Sequence, residues 1–154
     1  HNFQEQLNNP NQKEANNRVL RYWQDQGYEC RDVSENPEYF AKGIDIVRML
    51  GDDITNIDVK CDFQAHRTGN VPLELAEIMP ESNEHKRKVG WAYKNSIAEI
   101  HYFIWETKQI IPVSLKKLKE IAYSRERRAY ASWHTKPIKY FTIGLLIPIV
   151  EILK

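Results

Sequence analysis

The sequence is poor in the residues that staple small folds. Its two cysteines, Cys30 and Cys61, lie far apart and show no metal-ligand spacing. A disulfide framework is therefore excluded, and a reduced, intracellular, cytoplasmic protein is the expectation. The five histidines (His1, His66, His85, His101, His134) are scattered, with no His-x3-His pair and no CxxC, which argues against a structural zinc site. Long apolar runs are missing too. The longest, "IGLLIPIVEIL", is too short to span a bilayer and contains Pro148 and Glu151, so no membrane segment is expected. There is no internal repeat and no low-complexity tract. The chain opens on His1 rather than Met and shows no signal peptide, which suggests a trimmed N-terminus.

What is present is ordinary for a globular protein. With 154 residues, 42% hydrophobic and 28% charged, the chain is long enough to bury a core as one domain spanning residues 1–154. The formal net charge of +1 hides an asymmetry. Residues 1–80 carry 8 Lys+Arg against 14 Asp+Glu, while residues 81–139 carry 13 against 6. An acidic half beside a basic half suits a cation site next to a polyanion-binding surface; solvated charges segregated by chance would look the same.

Periodicity predicts the scaffold. Ala15, Val19, Leu20 and Trp23 fall at helical spacing, so a helix is expected over about 11–26, with Gly27 as its stop. A short strand follows at 28–33. Two apolar runs, "IDIVRML" and "ITNIDVK", flank "GDD" and read as a β-hairpin pairing 44–50 with 54–61. "VPLELAEIM" and "IHYFIW" are further strands, with a helix expected near 85–98 between them. "SLKKLKEIAYS" is an amphipathic helix with Ser114 as its N-cap, and "KYFTIGLLIPIVEIL" a strand or strand pair. The order is α-β-β-β-α-β with a C-terminal extension: an α+β fold, a mixed sheet with flanking helices.

The hairpin has a chemical consequence. If the chain reverses at Gly51–Asp52, Asp45 lies opposite Asp58 or its immediate neighbour, and Lys60 shares the face of Asp58. Two carboxylates across a ladder repel unless a cation compensates them, and an adjacent ammonium or a divalent metal does so. The bland counterpart is a surface hairpin whose Asp58 and Lys60 form a solvated ion pair.

Asp45, followed after twelve residues by Asp58-Val59-Lys60, resembles the D-x(n)-(D/E)-x-K signature of the PD-(D/E)xK nuclease superfamily, the restriction-endonuclease-like fold. The segments "KGIDIV", "NIDVKCD" and "TGNVPLE" are similar to phage and bacterial members in which a TGN turn and a further acid follow. The resemblance covers roughly residues 11–110, with Ile44 where proline is frequent and Asp58 where Glu is more frequent. It implies a Mg²⁺-dependent (or Mn²⁺-dependent) endonuclease hydrolysing DNA phosphodiester bonds. Asp45 and Asp58, with the Val59 carbonyl, would be metal ligands, and Lys60 would activate water or stabilise the transition state. Glu74 would be a further catalytic acid, though an exposed strand acid looks identical. Glu14 would be a helix-borne metal ligand, with an i,i+4 pair to Arg18 as its bland alternative. Gln64 and His66 read as loop residues, and Asp62 lies past the metal.

The basic half supplies candidates for phosphate contact: Lys86, Lys88, Lys94, Arg125, Arg127 and Arg128, interleaved with Tyr93, Tyr123, Tyr130 and Trp133. DNA is the expected partner, and a homodimer is compatible with the pattern. Two alternatives stand beside the nuclease: a nucleic-acid-binding protein on the same fold with little catalysis, and an unrelated domain with a similar sheet.

Overall fold

The computed structural model describes residues 9–79, 87–134 and 140–154. The chain forms two compact units, the first from residues 1–68 and 95–115, the second from 69–94 and 116–154. The fold is α+β.

In the first unit, helix α1 (Pro10–Gln24) begins where Asn9 accepts the N–H groups of Asn11 and Gln12 and Pro10 presets the first turn. It ends two residues earlier than periodicity suggests, and Gly27, at φ 91°, turns the chain into β1 (Glu29–Asp32). Helix α2 (Pro37–Ala41) leads to the hairpin of β2 (Ile46–Leu50) and β3 (Asp53–Asp62). Its two-residue loop has Gly51 at φ 60°, the conformation such tight turns require. Helix α3 (Ala65–Thr68) follows; β6 (Glu99–Ile104) and β7 (Gln109–Ser114) complete the unit. The sheet order is β1-β2-β3-β6-β7, antiparallel throughout except that β3 and β6 run parallel.

Alternation divides this sheet into two faces. Ile57 and Val59 join Cys30, Ile46 and Phe103 under Ala15 and Val19 of α1, with Leu20 and Trp23 packed at the margin. Each such aliphatic side chain contributes about 1.5–3 kcal/mol on burial. Asp58 and Lys60 share the other face with the buried Ile100 and Tyr102, their partners on β6.

The second unit is an antiparallel sheet ordered β5-β4-β9-β8, built from β4 (Asn70–Ile78), β5 (Arg87–Val89), β8 (Ala129–His134) and β9 (Tyr140–Pro148). Helices α4 (Leu115–Tyr123) and α5 (Ile149–Ile152) belong with it. No helix among the described residues is long and apolar enough to cross a membrane.

Two expectations are corrected. The strand following the hairpin in sequence, β4, belongs to the second sheet, because alternation predicts a strand but not its partner. The helix expected near 85–98 is absent among the described residues: β5 is followed by one 3₁₀ turn (Trp91–Tyr93) and extended chain. Gly90 explains the break. Its N–H donates to the Leu75 carbonyl at 2.8 Å, and a Cβ there would meet the Glu74 carbonyl oxygen at 2.4 Å, so tertiary packing overrides helical propensity.

Candidate active site

The site lies at the open end of the β2–β3 hairpin. Ile46 pairs with Ile57 in the register the alternation predicts, but the Asp45 N–H also donates to the Ile57 carbonyl, at 2.9 Å. Two residues on one side thus face one on the other, as in a β-bulge, and this re-aims the Asp45 side chain. Its Oδ2 accepts the Val59 N–H at 2.8 Å, replacing the ladder bond that β2 no longer offers. The Val59 carbonyl accepts from Gln12 Nε2 at 3.0 Å, and the same amide donates to the buried Asn16. Helix α1 and the Asp45 carboxyl therefore hold the β3 backbone from two directions.

Asp58 is buried, 4% exposed. Its Oδ2 lies 3.0 Å from Lys60 Nζ, and that lysine side chain is 31% exposed. The Asp45 carboxyl neighbours that of Asp58, close enough for the two acids to interact. Burial first, then the neighbouring Asp58 carboxyl, push the Asp45 carboxyl well above its ordinary pKa, outweighing the Val59 N–H and Lys60. A divalent cation held between two such acids would offset their repulsion, and hard ions such as Mg²⁺ or Mn²⁺ favour carboxylate oxygens and retain waters.

The remaining candidates are distributed as follows. Glu14 pairs with Arg18 (3.6 Å) and Lys108 (3.9 Å), and no group of three or more His, Cys, Asp or Glu residues able to hold a metal occurs among the described residues. The α1 residue that reaches β3 is Gln12, not Glu14; the sequence gives no signal for it beyond its place one turn before Asn16. Asp62 caps α3, its Oδ1 accepting the Gln64 and Ala65 N–H groups at 2.8 and 2.6 Å. Glu74 lies on β4 in the second unit, opposite Gly144; burial first, and then the Glu74 charge, push the Tyr130 hydroxyl pKa up.

Among the basic residues, Lys86 lies outside the described residues. Lys88, Arg125 and Arg128 are exposed, and Lys94 is half-buried. Arg125 is 3.3 Å from Glu151. Arg127 is corrected: its side chain is 4% exposed and forks onto Glu151 while donating to the Ile121 carbonyl at 2.7 Å. That guanidinium is a brace between α5 and the end of α4, unavailable to a phosphate. Its hydrogen bonds hold the Glu151 carboxyl below the usual range.

A buried polar cluster on the α1 face escaped the sequence reading. Arg48 on β2 forks onto Glu99 on β6 (3.1 and 2.6 Å) across the intervening β3, and stacks over Trp23 at 4.1 Å. Glu99 in turn meets His101 Nε2 at 2.9 Å, and Trp23 donates to His101 Nδ1. Burial would raise the Glu99 carboxyl, but the hydrogen bonds from His101 and Arg48 hold it at about 2. Burial also pushes the His101 imidazole down. This cluster clamps the three central strands that carry the site.

Compared with known proteins, the chain matches no family and no curated protein. Among solved structures it is similar to a bacterial homing endonuclease, I-Ssp6803I, with a TM-score of 0.52 and 12% identity over 68% of this chain and 67% of that one. The fold, a mixed sheet with flanking helices, is thus an endonuclease-like fold.

Proposed function

We propose that the chain is a divalent-metal-dependent nuclease of the PD-(D/E)xK type that hydrolyses DNA phosphodiester bonds. One observation carries the reading: two neighbouring acids, Asp45 and Asp58, with the partly exposed ammonium of Lys60 3.0 Å from Asp58. The likeness to a homing endonuclease supports it at the level of fold.

Asp45 and Asp58 would hold Mg²⁺ or Mn²⁺. The Val59 carbonyl, already engaged by Gln12, keeps a second lone pair that can serve as a further ligand. The bound ion supplies positive charge that polarises the phosphate and templates the attacking water. The chain's own residues do the rest. The Val59 N–H fixes the Asp45 carboxylate, so its geometry exists before substrate arrives. Lys60 donates to the attacking water or to a phosphate oxygen as charge builds there, and its contact with Asp58 keeps it beside the acids until then. The burial of Asp58 excludes bulk water from one side of the pair. Lys88, Lys94, Arg125 and Arg128 are the basic side chains proposed to contact DNA phosphates.

The test is incubation of the protein with supercoiled plasmid, branched DNA and RNA in Mg²⁺, Mn²⁺ or EDTA. DNA cleavage in either metal, stopped by EDTA and by Asp58→Ala, is expected. DNA binding without cleavage in both metals would replace the nuclease by a binding protein on the same fold. Neither binding nor cleavage would remove nucleic acid from the reading.

A further inference from the structure

Phosphates are held by hydroxyl groups as well as by cations, and a hydroxyl can serve only while its proton is uncommitted. The second unit carries such a group. Tyr93 closes the 3₁₀ turn and Tyr123 ends α4; the residues are 45% and 52% exposed, and their hydroxyls meet at 2.6 Å. Lys119 lies one helical turn before Tyr123 and sets its ammonium 5.6 Å from the centre of the Tyr93 ring.

Proton counting shows what this cluster can do. A phenol has one proton to give, so one proton bridges the two oxygens and the other is left over. Among the described residues no acceptor takes that second proton, and no acid is paired with Lys119. Burial first, and then the hydrogen bond with Tyr93, push the Tyr123 hydroxyl up to about 12, so it stays neutral and able to donate near neutral pH. The surroundings favour an anion. Residues 69–94 and 116–154, the second unit, carry 13 Lys+Arg against 7 Asp+Glu. Lys94 directly follows Tyr93 and is half-buried, and Lys116, exposed, precedes Lys119 by one turn of α4.

We propose that the Tyr93–Tyr123 hydroxyl pair and the Lys119 ammonium form a binding site for a phosphate of the DNA backbone, a role that rests on DNA being the substrate. Lys119 supplies charge and displaces a counterion, while the leftover phenol proton fixes where a phosphate oxygen sits. A lone ammonium attracts any anion in every direction. The directed hydroxyl beside it suits an oxyanion with several acceptor oxygens, and the basic unit around both suits a polyanion.

Fluorescence anisotropy with a short labelled duplex in EDTA, where metal-dependent cleavage does not intervene, tests this. Lys119→Met should lower affinity about tenfold and reduce the salt slope by about one unit. Tyr93→Phe combined with Tyr123→Phe should also lower affinity about tenfold, yet leave the slope unchanged, since a neutral donor releases no counterion. Tyr123→Phe alone should lose less, because the Tyr93 hydroxyl is then freed to turn to the phosphate. The aromatic rings remain, so the wild-type circular dichroism spectrum is expected. Tight wild-type binding with the double variant unchanged would overturn the proposal and leave the nuclease reading standing. Unchanged affinity and slope in Lys119→Met would overturn it equally, which keeps the test decisive if the double variant fails to fold. A wild-type protein that does not bind the duplex would remove DNA from the reading, and this site with it.

Discussion

Replacing Asp45 by Asn should stabilise the metal-free protein and destroy its response to metal. Asn has the shape of Asp. Its carbonyl can accept the Val59 N–H that Asp45 Oδ2 accepts at 2.8 Å, and its amide can donate to the neighbouring Asp58. A hydrogen bond to a charged acceptor is worth about 1.5–3 kcal/mol. For a chain of this size each kcal/mol moves Tm by about 2–4 °C, so the variant should melt roughly 3–12 °C higher in EDTA near neutral pH. The sign follows from linkage. The folded pKa of Asp45 is raised, so its contribution to stability is present in acid and lost as pH rises through that pKa. The gap between variant and wild type should therefore widen with pH and shrink below the ordinary carboxylate range. Metal reverses the order. At an ion concentration about 1,000 times Kd the wild type gains about 4.1 kcal/mol, or roughly 8–16 °C, and the variant gains little. Differential scanning calorimetry in EDTA and in Mg²⁺ would show the two melting curves exchange places. A variant that melts below wild type in EDTA, or an equal Mg²⁺ shift in both, would refute the reasoning.

Lys60→Met should lower the single-turnover cleavage rate about 10²–10³-fold with little change in DNA affinity, because its charge is used chiefly in the transition state. Arg48→Met strands the partly buried Glu99 carboxylate and should cost about 3 kcal/mol in urea unfolding. Since Glu99 is held at about 2, its contribution is present above the ordinary value of 4.5 and lost as pH falls toward 2, so the difference from wild type should shrink over that interval. Arg127→Met should lower thermal stability by loosening the Glu151 brace, whereas Arg128→Ala should leave stability alone and reduce the salt slope of DNA binding by about one unit.

The hairpin was legible because three local signals agree: alternation in "IDIV" and "NIDVK", β-branched residues on both arms, and Gly51 at the turn. Its register followed, from Ile46 opposite Ile57 to Leu50 opposite Asp53. The hydrogen bond from the Asp45 N–H to Ile57 was not legible, since it is made by a residue outside the ladder. Partner choice was hidden for a related reason. Nothing local distinguishes β4, which enters the second sheet, from β6, which runs parallel to β3. The Gly90 contact that breaks the expected helix is likewise made with residues distant in sequence. Arg127 and Arg128 are adjacent and chemically identical in the sequence; only the placement of Glu151 makes one a brace and leaves the other exposed. Gln12 illustrates the converse, a neutral side chain without motif value that becomes a backbone ligand once α1 packs on β3.

The central claim is that Asp45 and Asp58 together hold a divalent cation. Calorimetric titration of Mn²⁺ into the wild-type protein, repeated in buffers of different ionisation enthalpy, measures it directly. Binding should release up to one proton per ion, less as pH rises, and both the heat and the proton release should vanish in Asp45→Asn and Asp58→Asn. Binding that persists in both variants, or that releases no proton at any pH, would contradict the account.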